Sequence, residues 1–523
     1  LGDEAIAQAA IDAGISGIYA YPGTPSTEIT EYVQASSEAR EKGIVSSWAA
    51  NEKTAMEAAL GMSYAGKRTM VCMKHVGLNV AADPFMNSAI TGINGGLILV
   101  VADDPSMHSS QNEQDSRFYG KFAMIPVLEP SSQQEAYDMV HYGFSFSEKT
   151  GLPVMLRITT RLAHSRAGVA LNEKQPQNRV VMPSDPAQFI LLPANARKRY
   201  QKLLTVQPDL LTASSTSGYN HLVPGTDNSL GIIACGIAYN YYREAELRHS
   251  LAYPVLRLVQ YPVPKDLFEK IAGVSKKLLV LEEGYPLVEE MLKGTFQTPV
   301  PVAGRLDGSL PGAGELSPES VAAALGYKTE GIRQVPSIVA NRPPMLCKGC
   351  SHADMYHALN EALEKYSKGR VFSDIGCYTL GALPPYNSIN TCVDMGASIT
   401  MAKGAADAGL VPAVAVIGDS TFTHSGITGL LDAVIAGSPV TIIISDNSTT
   451  GMTGGQASAA TGRLESICRG IGVHPDHLIT IEPLKKNHEL NRDILARELE
   501  YPGVSVIISA RECIQTAVRK KHQ

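Results

Sequence analysis

An α/β architecture built on mainly parallel sheets is the fold class this sequence predicts. Apolar runs such as Leu97–Ala102, Ala413–Ile417 and Val440–Ile444 lack the alternation of a half-solvated strand, so they read as strands covered on both faces. Segments of helical length separate successive runs, which is the strand-then-helix order of parallel sheets. At 523 residues and 44% apolar side chains, the chain holds material for roughly three to four domains.

The elements follow in chain order. Gly2–Ala13 has helical character, Ile18–Tyr21 is a short strand, and Pro22-Gly-Thr-Pro-Ser26 turns the chain into a second helix. Ser46–Ala50 is extended, and Asn51 caps a helix over about 52–65 with Glu52 in its first turn. Strands at Thr69–Met73 and Leu97–Ala102 complete a first domain, 1–168. A connecting segment, 169–228, includes Thr212–Gly218, whose small polar residues predict a flexible linker. A middle α/β domain, 229–333, carries strands at Leu230–Ala234, Pro254–Val259 and Lys277–Leu281, while Gly304–Pro318 and Gln334–Pro344 read as loops. The last domain, 345–523, closes with a strand at Val504–Ser509.

Composition removes several classes. A net charge of -6 with scattered Lys and Arg argues against nucleic acid as a partner. No window approaches the ~18 uninterrupted apolar residues of a membrane span, and the first residues lack a basic-then-apolar export pattern, so a cytoplasmic location is expected. Eight cysteines are too few for a disulfide scaffold in a chain of this length, which leaves them for metal or redox work.

The sharpest signal lies late in the chain. Gly418-Asp419-Ser420 closes one buried run and Asp446-Asn447 closes the next, so both ends fall on the carboxyl edge of one parallel sheet, where open α/β folds bind ligands. Asp419 offers a carboxylate oxygen, Asn447 an amide oxygen and the loop at Thr449 a carbonyl to one Mg2+, whose shell a diphosphate would complete. Residues 421–437 read as a helix, and the glycines of Thr423–Gly429 would let backbone N–H groups approach phosphate. Gly-Asp-Ser alone is an ordinary strand-end turn; with its flanking strand, helix and Asp-Asn it reads as a thiamine-diphosphate site.

Several further segments carry a family resemblance: Tyr21-Pro-Gly-Thr-Pro-Ser-Thr-Glu-Ile29, Asn51-Glu-Lys-Thr-Ala55, Lys74-His-Val-Gly-Leu-Asn79, Cys347-Lys-Gly-Cys-Ser-His352, Asp374-Ile-Gly-Cys-Tyr378, Gly418-Asp-Ser420 and Thr453-Gly-Gly-Gln456. Across its length the chain resembles the large subunits of the 2-oxoacid:ferredoxin oxidoreductases, indolepyruvate type. The resemblance implies thiamine-binding folds in the first and last domains and a transketolase C-terminal-like middle domain. It implies that Glu52, by composition alone a solvated first-turn residue, activates the cofactor through its aminopyrimidine ring. It puts the Thr24 hydroxyl beside the thiazolium and Arg117 at the substrate carboxylate, which a guanidinium can clamp through two bonds. Gly77, Asn79, Gly418, Ser420, Asn447 and Gly451 fall on cofactor-binding segments. His75, after a strand and beside Lys74, is the best functional candidate among histidines that otherwise read as structural, His108 and His352 included.

The cysteines extend the resemblance. Cys347 and Cys350 form Cys-x-x-Cys, a pattern shared by zinc sites, dithiols and iron–sulfur clusters. With Cys377 and Cys513 at matching positions, the resemblance implies four ligands of one [4Fe–4S] cluster. Cys72, Cys235, Cys392 and Cys468 read as core residues. Met452 stands where the pyruvate enzymes carry an asparagine, which suits a larger apolar substrate. The implied activity is oxidative decarboxylation of arylpyruvates to acyl-CoA and carbon dioxide, with coenzyme A as cosubstrate, ferredoxin as acceptor, a smaller companion subunit and a dimer of heterodimers. The family's large subunits commonly end in a ferredoxin-like module, and this chain as given stops at Gln523, which leaves open a shorter form or a truncation. A non-oxidative thiamine decarboxylase or carboligase, and a catalytically silent scaffold subunit, are the alternatives.

Overall fold

The computed structural model describes residues 1–185, 187–328, 336, 338–340 and 344–522, the side chain of residue 522 excepted. It divides into two compact units, Leu1–Gln334 and Val335–Gln523. Of the loop read at Gln334–Pro344, residues 334, 335, 337 and 341–343 lie outside the described residues.

The first unit holds two sheets. The larger runs, in spatial order, Gln260–Tyr261, Val127–Leu128, Val154–Thr159, Leu97–Asp103, Thr69–Lys74, Gly17–Ala20 and Val45–Trp48. All its pairings are parallel except the outermost, where Gln260 faces Leu128 and Tyr261 faces Val127 antiparallel. Its central strands are buried at every position, as the unbroken apolar runs require. The second sheet orders Val302–Ala303, Leu278–Leu281, Gly231–Cys235, Val255–Leu258 and His221–Val223, with only the last strand antiparallel.

Local chemistry sets the helices that matter to function. The Asn51 side chain accepts from the Thr54 amide at 2.9 Å while the Thr54 hydroxyl receives the Asn51 amide at 3.2 Å, so the helix Glu52–Tyr64 begins with Glu52 as its first residue.

Most of Thr212–Gly218, expected to be a flexible linker, is helical. Pro193–Thr216 is one helix, with Leu203, Leu210 and Ser214 buried. Two hydroxyls fold back onto the preceding turn, Thr212 on the Pro208 carbonyl at 2.9 Å and Thr216 on the Thr212 carbonyl at 2.8 Å, while Ser214 donates to the Pro262 carbonyl outside the helix at 2.6 Å. Small polar residues that suit a linker also suit a helix when the turn before them supplies acceptors.

The second unit is a five-stranded parallel sheet ordered Val371–Ser373, Ala413–Gly418, Val440–Asp446, Ser505–Ala510 and Leu478–Ile481. Ile442, Ile443 and Ile444 are wholly buried, each worth roughly 1.5–3 kcal/mol relative to exposure. Gly418 lies opposite Ser445, which brings the ends carrying Asp419 and Asn447 side by side. Among the described residues no helix is long and apolar enough to cross a membrane.

Candidate active site

Two groups of candidate residues form, one in each unit. In the first unit they gather at the carboxyl ends of the strands Gly17–Ala20 and Thr69–Lys74. Ser26 Oγ donates to the Gly23 carbonyl at 2.9 Å and the Gly23 amide donates to Thr27 Oγ1 at 3.0 Å, which fixes the turn bearing Thr24. Glu52 is 5% exposed, and its carboxylate lies against Gly77: a Cβ added there would stand 2.5 Å from Glu52 Oε1. The glycine of Lys-His-Val-Gly is therefore what admits the Glu52 side chain. Tyr119 donates to Asn79 Oδ1 at 2.6 Å. His75 is buried; Nε2 lies 3.2 Å from Asn112 Oδ1, and Nδ1 has no partner.

Arg117 does not take the position expected for a substrate clamp. It is 1% exposed, and each guanidinium nitrogen is engaged within the unit. Nε donates to Asp115 at 2.9 Å, Nη1 meets Glu282 at 3.0 Å and the Tyr261 hydroxyl at 3.2 Å, and Nη2 donates to the Glu283 and Tyr285 carbonyls at 3.1 and 2.9 Å. Burial opposes its charge, but Asp115 first, then Tyr261, Glu129 and Glu282, hold it ionised well beyond the usual arginine range. Arg117 also borders a cavity of about 190 Å³, whose lining includes Tyr261, Leu287 and Met291 but not Thr24, Glu52 or His75. The residue fastens the 103–117 loop to the middle sheet.

In the second unit, Asp419 is 2% exposed and its Oδ2 has no hydrogen-bond partner. Burial pushes its carboxyl up to about 7. A buried carboxylate oxygen with no protein donor is what a hard divalent cation accepts as a ligand. Asn447 Oδ1 accepts from the Thr449 amide at 3.1 Å, its Nδ2 lies 3.4 Å from His352 Nε2, and the Thr449 hydroxyl donates to the Gln456 carbonyl at 3.0 Å. Ser420 and Thr450 share a hydroxyl contact at 2.9 Å. Gly418 is packed beneath the Tyr378 ring, 2.5 Å from where a Cβ would stand, and the Tyr378 hydroxyl donates to Asp374.

The glycines of Thr423–Gly429 are required by packing. Phe422–Gly426 is a π turn leading into the helix Ile427–Ala436. A Cβ at Gly426 would stand 2.7 Å from Ile417 Cδ1, and one at Gly429 3.2 Å from Thr400 Cγ2.

The thiols converge. Cys347, Cys350, Cys377 and Cys513 line one cavity of about 140 Å³ together with His352, Asn447 and Gly451. The Cys350 amide donates to the Cys347 carbonyl at 3.0 Å, and the Cys513 amide to the Asn447 carbonyl at 3.1 Å, so backbone bonds tie the thiol loops to the Asp-Asn edge. Burial raises the Cys377 thiol to about 12, and the neighbouring thiols of Cys350, Cys513 and Cys347 add to the rise. A Cβ at Gly451 would stand 3.1 Å from Cys377 Sγ. Cys72, Cys235 and Cys468 are buried, whereas Cys392 is exposed on a loop and not a core residue.

Lys74 is a buried residue to which the motif alone assigns no role. Its signal was a lysine ending an otherwise apolar strand, and the structure buries it to 8% exposure.

Residues 8–205 match the family described as pyruvate flavodoxin/ferredoxin oxidoreductase, thiamine diphosphate-binding. Residues 374–507 match the thiamine pyrophosphate enzyme C-terminal binding domain. The indolepyruvate oxidoreductase subunit IorA of Archaeoglobus fulgidus is 41% identical, over 98% of this chain and 86% of its own length. The IorA subunit of Pyrococcus horikoshii is 39% identical, over 98% of this chain and 85% of its own. A solved 2-oxoglutarate:ferredoxin oxidoreductase from Magnetococcus marinus, 18% identical, covers 62% of this chain and 64% of its own with a TM-score of 0.50, a likeness of fold. With two thiamine-binding regions matched and such identity along nearly its whole length, the chain belongs to the IorA subunit family of the indolepyruvate oxidoreductases.

Proposed function

We propose that this chain carries out the oxidative decarboxylation of aryl 2-oxoacids of the indolepyruvate type, forming acyl-CoA and carbon dioxide and passing two electrons singly to ferredoxin. The relatives' name supplies the substrate class. The observation that carries the chemistry is a buried Asp419 oxygen without a hydrogen bond, in the field of Cys377, whose thiol lines one cavity with those of Cys347, Cys350 and Cys513. When bound, thiamine diphosphate supplies a nucleophilic carbon and a ring that takes up the electrons freed as carbon dioxide leaves.

The chain's residues divide the work. Asp419 through Oδ2, Asn447 and the backbone at Thr449 hold Mg2+, and Gly418, Ser420 and Gly451 form the turns that border the diphosphate. Glu52 makes a charge-assisted hydrogen bond to the aminopyrimidine, held in register by Gly77. The turn around Thr24 presents a hydroxyl, and His75 offers its unpartnered Nδ1 for proton exchange with the substrate oxygen. Asn79 steadies this segment through Tyr119.

Cys347, Cys350, Cys377 and Cys513 ligate one [4Fe–4S] cluster. All four thiols line one cavity. Zinc is the alternative for four such thiols, and the match of the Cys-x-x-Cys, Cys377 and Cys513 positions to the family pattern favours a cluster. A smaller companion subunit completes the enzyme, in a dimer of heterodimers.

The test is anaerobic. The chain purified with its companion subunit should hold about four irons per chain and reduce a viologen dye when given thiamine diphosphate, Mg2+, coenzyme A and indolepyruvate. Glu52→Gln should keep the iron and lose the dye reduction. Zinc in place of iron, or carbon dioxide release without dye reduction, overturns the oxidative reading in favour of a non-oxidative thiamine enzyme.

A further inference from the structure

Buried positive charge in this chain is sparse and mostly matched. Four Lys or Arg side chains are buried among the described residues: Lys74, Arg117, Arg157 and Arg305. Arg117 and Arg157 lie directly against carboxylates of Asp103, Asp115, Glu129 and Glu282. Arg305 donates to two carbonyls and lies in the field of Glu113, Glu283 and Glu282.

Lys74 differs. Its Nζ donates to the Ser109 carbonyl at 2.6 Å, the one hydrogen bond the ammonium makes with the described residues, which leaves two of its three N–H groups unused. The single charged group acting on it is Asp104, and that carboxylate is already taken: the Ser109 amide, the Ser110 hydroxyl and the Thr160 hydroxyl all donate to it. Asp104 acts on Lys74 as a nearby charge and makes no direct ion pair with it; a desolvated ammonium with no carboxylate in contact is costly, and such charges in folded proteins are matched by a partner or a ligand.

The position of Lys74 says which ligand. It ends the strand Thr69–Lys74 at the carboxyl edge, one residue before His75 and three before the Gly77 that receives Glu52. A Cβ at Gly23 would stand 3.2 Å from Lys74 Cβ, so the Thr24 turn packs directly on it. Ser109, whose carbonyl takes the ammonium, donates through its hydroxyl to the Thr24 carbonyl at 3.5 Å.

We propose that Lys74, and not Arg117, is the positive group that receives the 2-oxoacid carboxylate. This rests on the assignment of Thr24 and Glu52 to the thiamine pocket. It also fixes the kinetic signature. The carboxylate loses its charge as carbon dioxide departs, so an ammonium on it stabilises the bound substrate more than the transition state. Removing the ammonium therefore raises KM and leaves kcat within a few-fold.

The experiment compares Lys74→Met and Lys74→Arg with the unaltered enzyme, each as the full chain with its companion subunit, iron and thiamine diphosphate. Calorimetry measures binding of indolelactate, an unreactive carboxylate, and of its neutral amide; steady-state assays give KM and kcat for indolepyruvate. The unaltered enzyme should prefer the carboxylate over the amide by about 10–100-fold, the range of a charge-assisted bond. Lys74→Met should lose that preference and raise KM by a similar factor with thiamine affinity and iron content unchanged. Lys74→Arg, which keeps the charge, should recover part of both. Should Lys74→Met keep the preference and KM, or should Lys74→Arg behave as Lys74→Met, the lysine assignment falls alone. An unaltered enzyme that binds no thiamine diphosphate removes the underlying reading, and the lysine assignment with it.

Discussion

Around the 103–117 loop of the first unit, buried guanidinium groups lie among carboxylates; at the carboxyl edge of the last sheet, a buried carboxylate oxygen lies with no donor on it. Arg117 and Arg157 reach Asp103, Asp115, Glu129 and Glu282 within the fold. Asp419 Oδ2 makes no hydrogen bond, and four thiols line a cavity nearby. The first arrangement spends charge on holding loops to strands. The second keeps charge and lone pairs available, which is how a binding site differs from a structural network when both are equally buried.

Mutations at the two sites should therefore act in opposite ways. Arg117→Met leaves Glu282 buried without its cation and Asp115 with only Arg157 at 3.8 Å, and should lower stability by about 3–5 kcal/mol in denaturant unfolding. An unchanged midpoint would mean that the network is not what holds the loop. Asp419→Asn should weaken thiamine diphosphate binding in Mg2+ by at least about 100-fold, or about 2.7 kcal/mol, while the cofactor-free protein unfolds no earlier than the unaltered one. Loss of stability comparable to Arg117→Met would make Asp419 a structural carboxylate.

Lys74 sharpens the comparison through pH. Burial holds its ammonium down to about 8, below the 10.5 of a free lysine, with Asp104 opposing the shift. Between these values the unfolded chain binds a proton that the folded chain has released, so stability without substrate should rise from pH 8 toward 10.5. The rise should be about 2 kcal/mol after allowing for residual solvent, and Lys74→Met should abolish it. The smallest structural effect is expected at Gly77. Gly77→Ala sets a methyl where Glu52 Oε1 lies and displaces a movable side chain, so stability should change by less than about 1 kcal/mol while kcat falls roughly tenfold. Unchanged turnover would show that Glu52 does not need that position.

Much of the last sheet was legible before the fold was known, because its signals are local. Buried strands ending in Gly418-Asp419 and Asp446-Asn447 fix their own edge, and Asn51 announces its helix. What escaped reading depends on distant partners. Arg117 looks like a substrate clamp until Glu282 and the Tyr285 carbonyl arrive from the middle domain. The helix Pro193–Thr216 looks like a linker until its buried Leu203 and Leu210 find the core. Gly426 and Gly429 also make room for Ile417 and Thr400, a need that no local sequence signal displays.

The two-residue strand Gln260–Tyr261 completes the larger sheet from far down the chain by pairing with Val127–Leu128. This sets a timetable for synthesis. The residues of the first sheet leave the ribosome well before that strand does, and at ~5–20 residues per second the wait is on the order of ten seconds. Throughout it Val127–Leu128 lacks its native neighbour, and an unpaired strand edge is a place where nascent chains join one another. The stretch between 168 and 260 is thus a period of exposure as well as a spacer, and a growing chain would gain from a chaperone until Tyr261 docks.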